Sequence, residues 1–147
     1  MLEVGQRFVL DTNQIVGAGS RWLDVEVIVD PNPHLRLLVH VATEQVGLYC
    51  DEIIDEYIEK LIERGSPEDR AKRLITYVRG TFEPVDIVTT QAPVPPADPD
   101  DEIFILCSLD GDADYLVTED RDLLDIRASY GRPIIAPCAE VLLAVGR

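Results

Sequence analysis

The chain has 147 residues, 46% of them hydrophobic, and 28 acidic side chains against 13 Lys and Arg give it a formal net charge of −15. This length and apolar content suit one domain spanning residues 1–147 and argue against disorder, and no apolar run is long enough to cross a bilayer. The charge opposes sequence-blind binding to nucleic acid, because such binding rests on Lys and Arg neutralising phosphates; bound cations or a local basic patch must meet the anion instead.

The N-terminal "MLEVGQRFVLDTN" lacks the basic-then-apolar order of a secretory leader. Within it "RFVL" (7–10) predicts a short strand, and a helix or turn begins over Asn13 to Ala18. "WLDVEVIVDPNP" (22–33) reads as a loop or insertion, whose Trp22 packs either on the chain's own core or on a partner. Pro33 can open a helix over 34–44, and "VGLYC" (46–50) predicts the second strand. In "DEIIDEYIEKLIERG" (51–65) the apolar residues Ile53, Ile54, Tyr57, Ile58, Leu61 and Ile62 recur with a period near 3.6, which specifies an amphipathic helix ended by Gly65. Ser66-Pro67-Glu68-Asp69 predicts a capped start for the next helix, running to about Arg79.

"VDIVT" (85–89) predicts the third strand. The Pro-rich "QAPVPPADP" (91–99) is too short to separate domains. A helix from Asp101 to about Leu109, a strand over 115–118, a helix over 121–129, a strand over 133–136 and a helix over 138–145 complete the chain. Strands separated by helices in this order predict an α/β fold, a three-layer sandwich around a central, mostly parallel five-stranded sheet. Cys50, Cys107 and Cys138 form no CxxC pair and read as reduced thiols in or near the core, which points to the cytoplasm.

In open parallel sheets, ligands bind beyond the carboxyl ends of the strands. Asp11 follows "FVL" directly, and Thr118, Glu119 and Asp120 follow "YLV". Asp101 starts a helix whose N-terminus points to the same edge, and Glu56 lies early in the helix after the second strand. Each has a plainer reading: Asp11 or Asn13 caps a turn, Glu56 belongs to a solvated face with Glu52, Glu59 and Glu63, and Asp98, Asp100, Asp101 or Asp120 caps a helix. Four carboxylates within about 4–6 Å, however, repel by about 3–4 kcal/mol per close pair at an effective dielectric near 20. A fold that gathers them needs a compensating cation, and oxygen-only ligands favour Mg²⁺ or Mn²⁺ over Zn²⁺.

On these residues the sequence resembles the PIN domain family, and within it the VapC-like toxin component of bacterial toxin–antitoxin systems. The resemblance covers about residues 8–143. "FVLDTNQIV" is similar to the family's opening strand and first acid, Asp11. "CDEIIDEYIEKL" resembles its second block and sets the acid at Glu56. "DPDDEIFILCSLDGDADYLVTEDRDLL" resembles the third and fourth blocks, with Asp101 and Asp120 as their acids and Asp122 as an added or substitute acid. Asn13 and Thr118 match supporting polar positions, and "IIAPCAEVL" resembles the closing strand and helix. The segment from Arg21 to Pro33 is longer and more apolar than the family pattern, and Ser108 stands where a small Ala is common.

The resemblance implies a ribonuclease in which Asp11, Glu56, Asp101 and Asp120 hold Mg²⁺ or Mn²⁺. The ion lowers the pKa of a water and polarises the scissile phosphate, and a second ion stabilises the leaving oxygen. It also implies an antitoxin partner and a homodimer. A non-catalytic PIN-like module that binds a partner is the alternative.

Other chemistries find little support. His34 and His40 are six residues apart and read as structural or exposed, and no Cys–His or Ser–His pairing stands out. A phosphoacceptor receiver needs a lysine near the last strand, but the chain's lysines are Lys60 and Lys72. No phosphate-cradling glycine motif occurs. Residues 60–79 hold Lys60, Arg64, Arg70, Lys72, Arg73 and Arg79 against three acids. They form either a solvated helix face or a phosphate-contacting patch centred on Arg70 and Arg73.

Overall fold

In the computed structural model, which describes residues 5–19 and 32–145, five strands form one sheet. They are β1 (Arg7–Leu10), β2 (Val46–Tyr49), β3 (Glu83–Pro84), β4 (Tyr115–Val117) and β5 (Ile134–Ala136). The order is β3-β2-β1-β4-β5, and every neighbouring pair is parallel. The expected α/β architecture is therefore present, with a wholly parallel sheet among the described residues. The central position of β1 follows from its composition: Phe8, Val9 and Leu10 are fully buried, as a parallel strand covered on both faces requires. The Phe8 ring stacks on Tyr115 of β4 at 5.1 Å between centroids.

Seven helices accompany the sheet among the described residues: α1 (Thr12–Gly19), α2 (Pro33–Glu44), α3 (Asp51–Glu63), α4 (Glu68–Thr81), α5 (Glu102–Asp110), α6 (Arg121–Leu124) and α7 (Cys138–Val145). The side chain of Asn32 caps α2 by accepting from the His34 and Leu35 amides at 2.9 and 3.1 Å, with Pro33 in the first turn. Along α3 the apolar period buries Ile53, Ile54, Tyr57 and Leu61, and the Tyr57 hydroxyl donates to the Leu10 carbonyl. That bond ties α3 to the end of β1. The three cysteines are unbridged and buried. Among the described residues no helix is long and apolar enough to cross a membrane.

Three local expectations need correction. The third strand is not 85–89 but Glu83–Pro84, paired with Leu48 and Tyr49. Val85 still donates to the Tyr49 carbonyl at 2.8 Å. Beyond it, the Asp110 carboxylate captures the Val88 and Thr89 amides at 2.7 and 2.9 Å, so these groups satisfy themselves outside a ladder. Ser66 does not cap α4, which starts at Glu68 with no side-chain cap. Instead the Ser66 amide donates to Leu61 and the Gly65 amide to Ile62, at 2.9 and 3.0 Å, with Gly65 at φ +90°. These are the two bonds of a Schellman ending, so Ser66 finishes α3. The helix expected over 121–129 breaks into α6 and a 3₁₀ turn at Arg127–Ser129. Trp22 and the apolar segment around it lie outside the described residues.

Candidate metal centre

A sheet of order 3-2-1-4-5 reverses direction between β1 and β4, and the crevice beyond their carboxyl ends is where such folds bind ligands. Asp11 follows β1 and Thr118 follows β4. Their registers align, since Leu10 pairs with Val117 and the Asp11 amide donates to the Val117 carbonyl at 3.0 Å.

Asp11 is 4% exposed. One carboxylate oxygen accepts from the Asn13 amide at 2.7 Å, and the other accepts from the Thr118 hydroxyl. Burial pushes its pKa up to about 6 despite those bonds, and the charges of Asp120 and Glu119 add to the shift. Thr118, fully buried, also accepts from the Asp120 amide at 2.9 Å. One hydroxyl thus fixes the acid after β1 and the backbone that carries the acid after β4.

Asp120 in turn caps α6, its carboxylate accepting from the Asp122 amide at 2.8 Å. Glu56, on the second turn of α3, accepts from the Thr12 hydroxyl at 3.1 Å. Burial raises its pKa, that bond opposes the rise, and Asp100 adds to it.

Asp101 ends a 3₁₀ turn (Pro99–Asp101) that runs into α5, and Asp98 caps the turn by accepting from the Asp100 amide at 2.9 Å. Asp101 Oδ2 is buried without a hydrogen-bond partner. Burial drives the Asp101 pKa up to about 8, reinforced by Asp120, then by Asp98 and Asp11. Ionised carboxylates gathered here repel, so a proton or a cation beside Asp101 would relieve the charges of Asp120, Asp98 and Asp11.

A cavity of about 260 Å³ collects these groups: Asp11, Asn13, Glu56, Asp101 and Asp120 line it, together with Asp98, Lys60 and Arg64. A second grouping shares Asp101: oxygens of Asp98, Asp101 and Asp122 all lie within 4.8 Å of one another. Asp101 and Asp98 are thus shared between this grouping and the cavity that Asp120 lines. The donor set fits a hard divalent cation, because it is all oxygen, negatively charged, and contains a buried acceptor with no donor.

Sequence reasoning did not single out two of these contributors as site groups. Asp98 had only a capping role, which it does fill, and Thr12 stood unnoticed between Asp11 and Asn13. Glu119, never a candidate ligand, is engaged elsewhere. It accepts from the Gln14 side chain and from the Cys138 amide (3.2 Å) at the start of α7, while Gln14 Oε1 meets His34 Nδ1 at 2.9 Å. His34 is thus structural, and His40 bonds Glu44 and Gln45 within and beyond α2. Of the basic residues, Lys60 and Arg64 line the acidic cavity and Arg70 lines a neighbouring groove. Arg73 is exposed on α4.

The family model described as "PIN domain" matches residues 7–122. No curated protein matches the chain significantly. Among solved structures, the chain is similar to one in the crystal structure of VapBC2 from Rickettsia felis bound to a DNA fragment from their promoter. The TM-score is 0.54 and the identity 12%, over 89% of this chain and 97% of that one.

Proposed function

The chain belongs to the PIN domain family, whose members are generally nucleases, and from that premise we propose that it is a Mg²⁺- or Mn²⁺-dependent ribonuclease, the toxin of a toxin–antitoxin pair. The observation that carries the reading is Asp101: a buried carboxylate oxygen with no donor, facing Asp11 and Asp120 at the switch point of the sheet. Asp11, Glu56, Asp101 and Asp120 would hold the ion, with Asp122 beside Asp101. When bound, the ion supplies the Lewis acidity that activates water and stabilises charge on the phosphate.

The chain's own groups do the rest. The Asn13 amide and the Thr118 hydroxyl fix both oxygens of Asp11. Thr12 holds Glu56 on the facing helix. The recess around Asp11 limits access of bulk water. No histidine or cysteine is poised as a nucleophile, since His34 and His40 are engaged in hydrogen bonds and the thiols are buried. Arg70 and Arg73 on α4 contact RNA phosphates in this reading.

The antitoxin partner is proposed from the VapBC2 likeness, and the upstream gene tests it: a small open reading frame encoding a DNA-binding N-terminus is expected there. Homodimerisation and a cytoplasmic location complete the proposal. Activity is tested with purified protein, structured RNA and Mn²⁺, with Asp11→Asn alongside. Cleavage by the wild-type chain that disappears in the variant is expected. Cleavage that survives the substitution marks a contaminant, and no cleavage by either leaves a non-catalytic partner-binding module.

A further inference from the structure

Two of the three buried cysteines form a pair that the metal centre does not use. Gly111 closes α5, and a Cβ built on it would stand 2.9 Å from Leu48 Cδ1, so the end of α5 lies directly on β2. Cys107 precedes Gly111 by one turn on the same face of α5, about 6 Å back along the axis. Cys50 follows Leu48 by two residues. Its extended backbone (φ −133°, ψ 168°) keeps it on the same side of the strand, about 6.6 Å further on. Because α5 turns directly into the parallel strand β4, it runs against the direction of β2, and the two offsets bring Cys107 over Cys50. The thiols meet there, with Cys107 donating to the Cys50 sulfur.

The pair is asymmetric. Cys50 immediately precedes α3 and is 5% exposed, while Cys107 is fully buried. The hydrogen bond from Cys107 lowers the Cys50 pKa; burial opposes the shift, and the Ile53 and Glu52 amides at the start of α3 assist it. That shared bond, and then burial, push the Cys107 thiol far up. Cys50 is the sulfur that a small oxidant meets first, and Cys107 is the thiol in contact behind it. Cys138 is bonded elsewhere, to the Pro33 carbonyl at 3.6 Å.

From this geometry we infer that Cys50 and Cys107 are a redox modification site, which hydrogen peroxide converts to a disulfide that weakens metal binding. The Cys50 sulfur attacks the peroxide: an S–O bond forms, the O–O bond breaks, and the departing hydroxide takes up the Cys50 proton as water. Cys107 then attacks the sulfenic sulfur of Cys50. The S–S bond forms, the S–O bond breaks, and a second water carries away the Cys107 proton. The two sulfurs together lose two electrons and the peroxide gains them. Such a bridge in a reducing compartment is transient, and a thiol reductant restores the pair.

The effect on the site rests on the metal-centre reading above and follows from position. Cys50 lies six residues before Glu56 and Cys107 six residues after Asp101, and both acids line the cavity. Tyr57, fully buried and bonded to the Leu10 carbonyl, lies within electrostatic reach of both thiols, Asp11 and Glu56. A covalent bridge brings the sulfurs closer than hydrogen-bonded thiols stand, so it draws α5 against the start of α3. A close-packed core passes that shift on to the acids.

The test treats the whole chain, reduced and freed of metal, with hydrogen peroxide. Disulfides are mapped by peptide mass spectrometry before and after dithiothreitol. Mn²⁺ affinity of the reduced and oxidised chains is read by calorimetric titration once the reagents are removed. Cys138→Ser and Cys107→Ala are carried alongside. A Cys50–Cys107 bridge is expected in wild type and in Cys138→Ser, and in Cys107→Ala dimedone should capture sulfenic acid at Cys50. Mn²⁺ affinity should fall about tenfold on bridging and return on reduction. Peroxide-treated wild type with no bridge, or with one through Cys138, overturns the pair. A Cys50–Cys107 bridge that leaves Mn²⁺ affinity unchanged overturns its control of the site. A reduced chain that binds no Mn²⁺ overturns the metal-centre reading, and the mapped bridge then supports the modification site by itself.

Discussion

Asp11→Asn tests the electrostatics of the site through stability, independently of any substrate. In the folded chain the Asp11 pKa rises from 3.8 to about 6, chiefly by burial. Between those values the folded state holds a proton that the unfolded state has released. Stability from this group is therefore full below about pH 4, declines as pH rises to about 6, and stays lost above it. A shift of about two units is worth about 3 kcal/mol. Asp101, raised to about 8, extends the same direction of loss toward that pH.

An Asn at position 11 cannot ionise, but it matches the Thr118 and Asn13 donors less well, at a cost of about 1 kcal/mol. In EDTA the variant is thus expected to be about 2 kcal/mol more stable than wild type at pH 7 and about equally stable at pH 4.5. The measurement is urea unfolding of both proteins at several pH values. The difference between them cancels the general self-repulsion of a chain of net charge −15. With Mn²⁺ the order should reverse, because the cation stabilises the ionised wild-type cluster and has lost a ligand in the variant. A wild-type minus variant difference that stays flat between pH 4.5 and 7 would refute the reasoning.

Three further outcomes follow from the same geometry. Thr118→Val removes the hydroxyl that joins Asp11 to the Asp120 amide, and should lower Mn²⁺ affinity roughly 10- to 100-fold with a loss of about 1–3 kcal/mol in stability, read by calorimetric titration and urea unfolding. Asp120→Asn should weaken Mn²⁺ binding more than Asp122→Asn, since Asp120 lines the cavity with Asp11 and Glu56 while Asp122 is not among the residues lining it; equal losses in titration would reject that ordering. Gly47→Ala on β2 places a Cβ 2.5 Å from the Phe82 ring and should destabilise by about 1–3 kcal/mol while leaving Mn²⁺ affinity per folded molecule intact, as thermal unfolding and titration would report.

Much of the fold was legible because the signals are local. The period of α3, the short apolar strands and the Pro33 start of α2 depend on neighbours within a few residues, and the structure realises them. The positions of Asp11 and Asp120 were legible for a related reason: Asp11 directly follows β1 and Asp120 lies three residues past β4, and strand ends in a parallel sheet gather at one edge. The errors have the opposite character. Ser66 looks like a cap until the end of α3 claims its amide, and 85–89 looks like a strand until Asp110, far along the chain, captures two of its amides.

The sequence by itself determined which residue types the site contains and the order of the elements that carry them. Tertiary structure decided which of the many acids share a point in space. It sent Glu119 to the start of α7, brought Asp98 beside Asp101 and Asp122, and set Thr12 against Glu56. A carboxylate's role depends on its burial and on its nearest charges, and both are properties of packing between segments tens of residues apart.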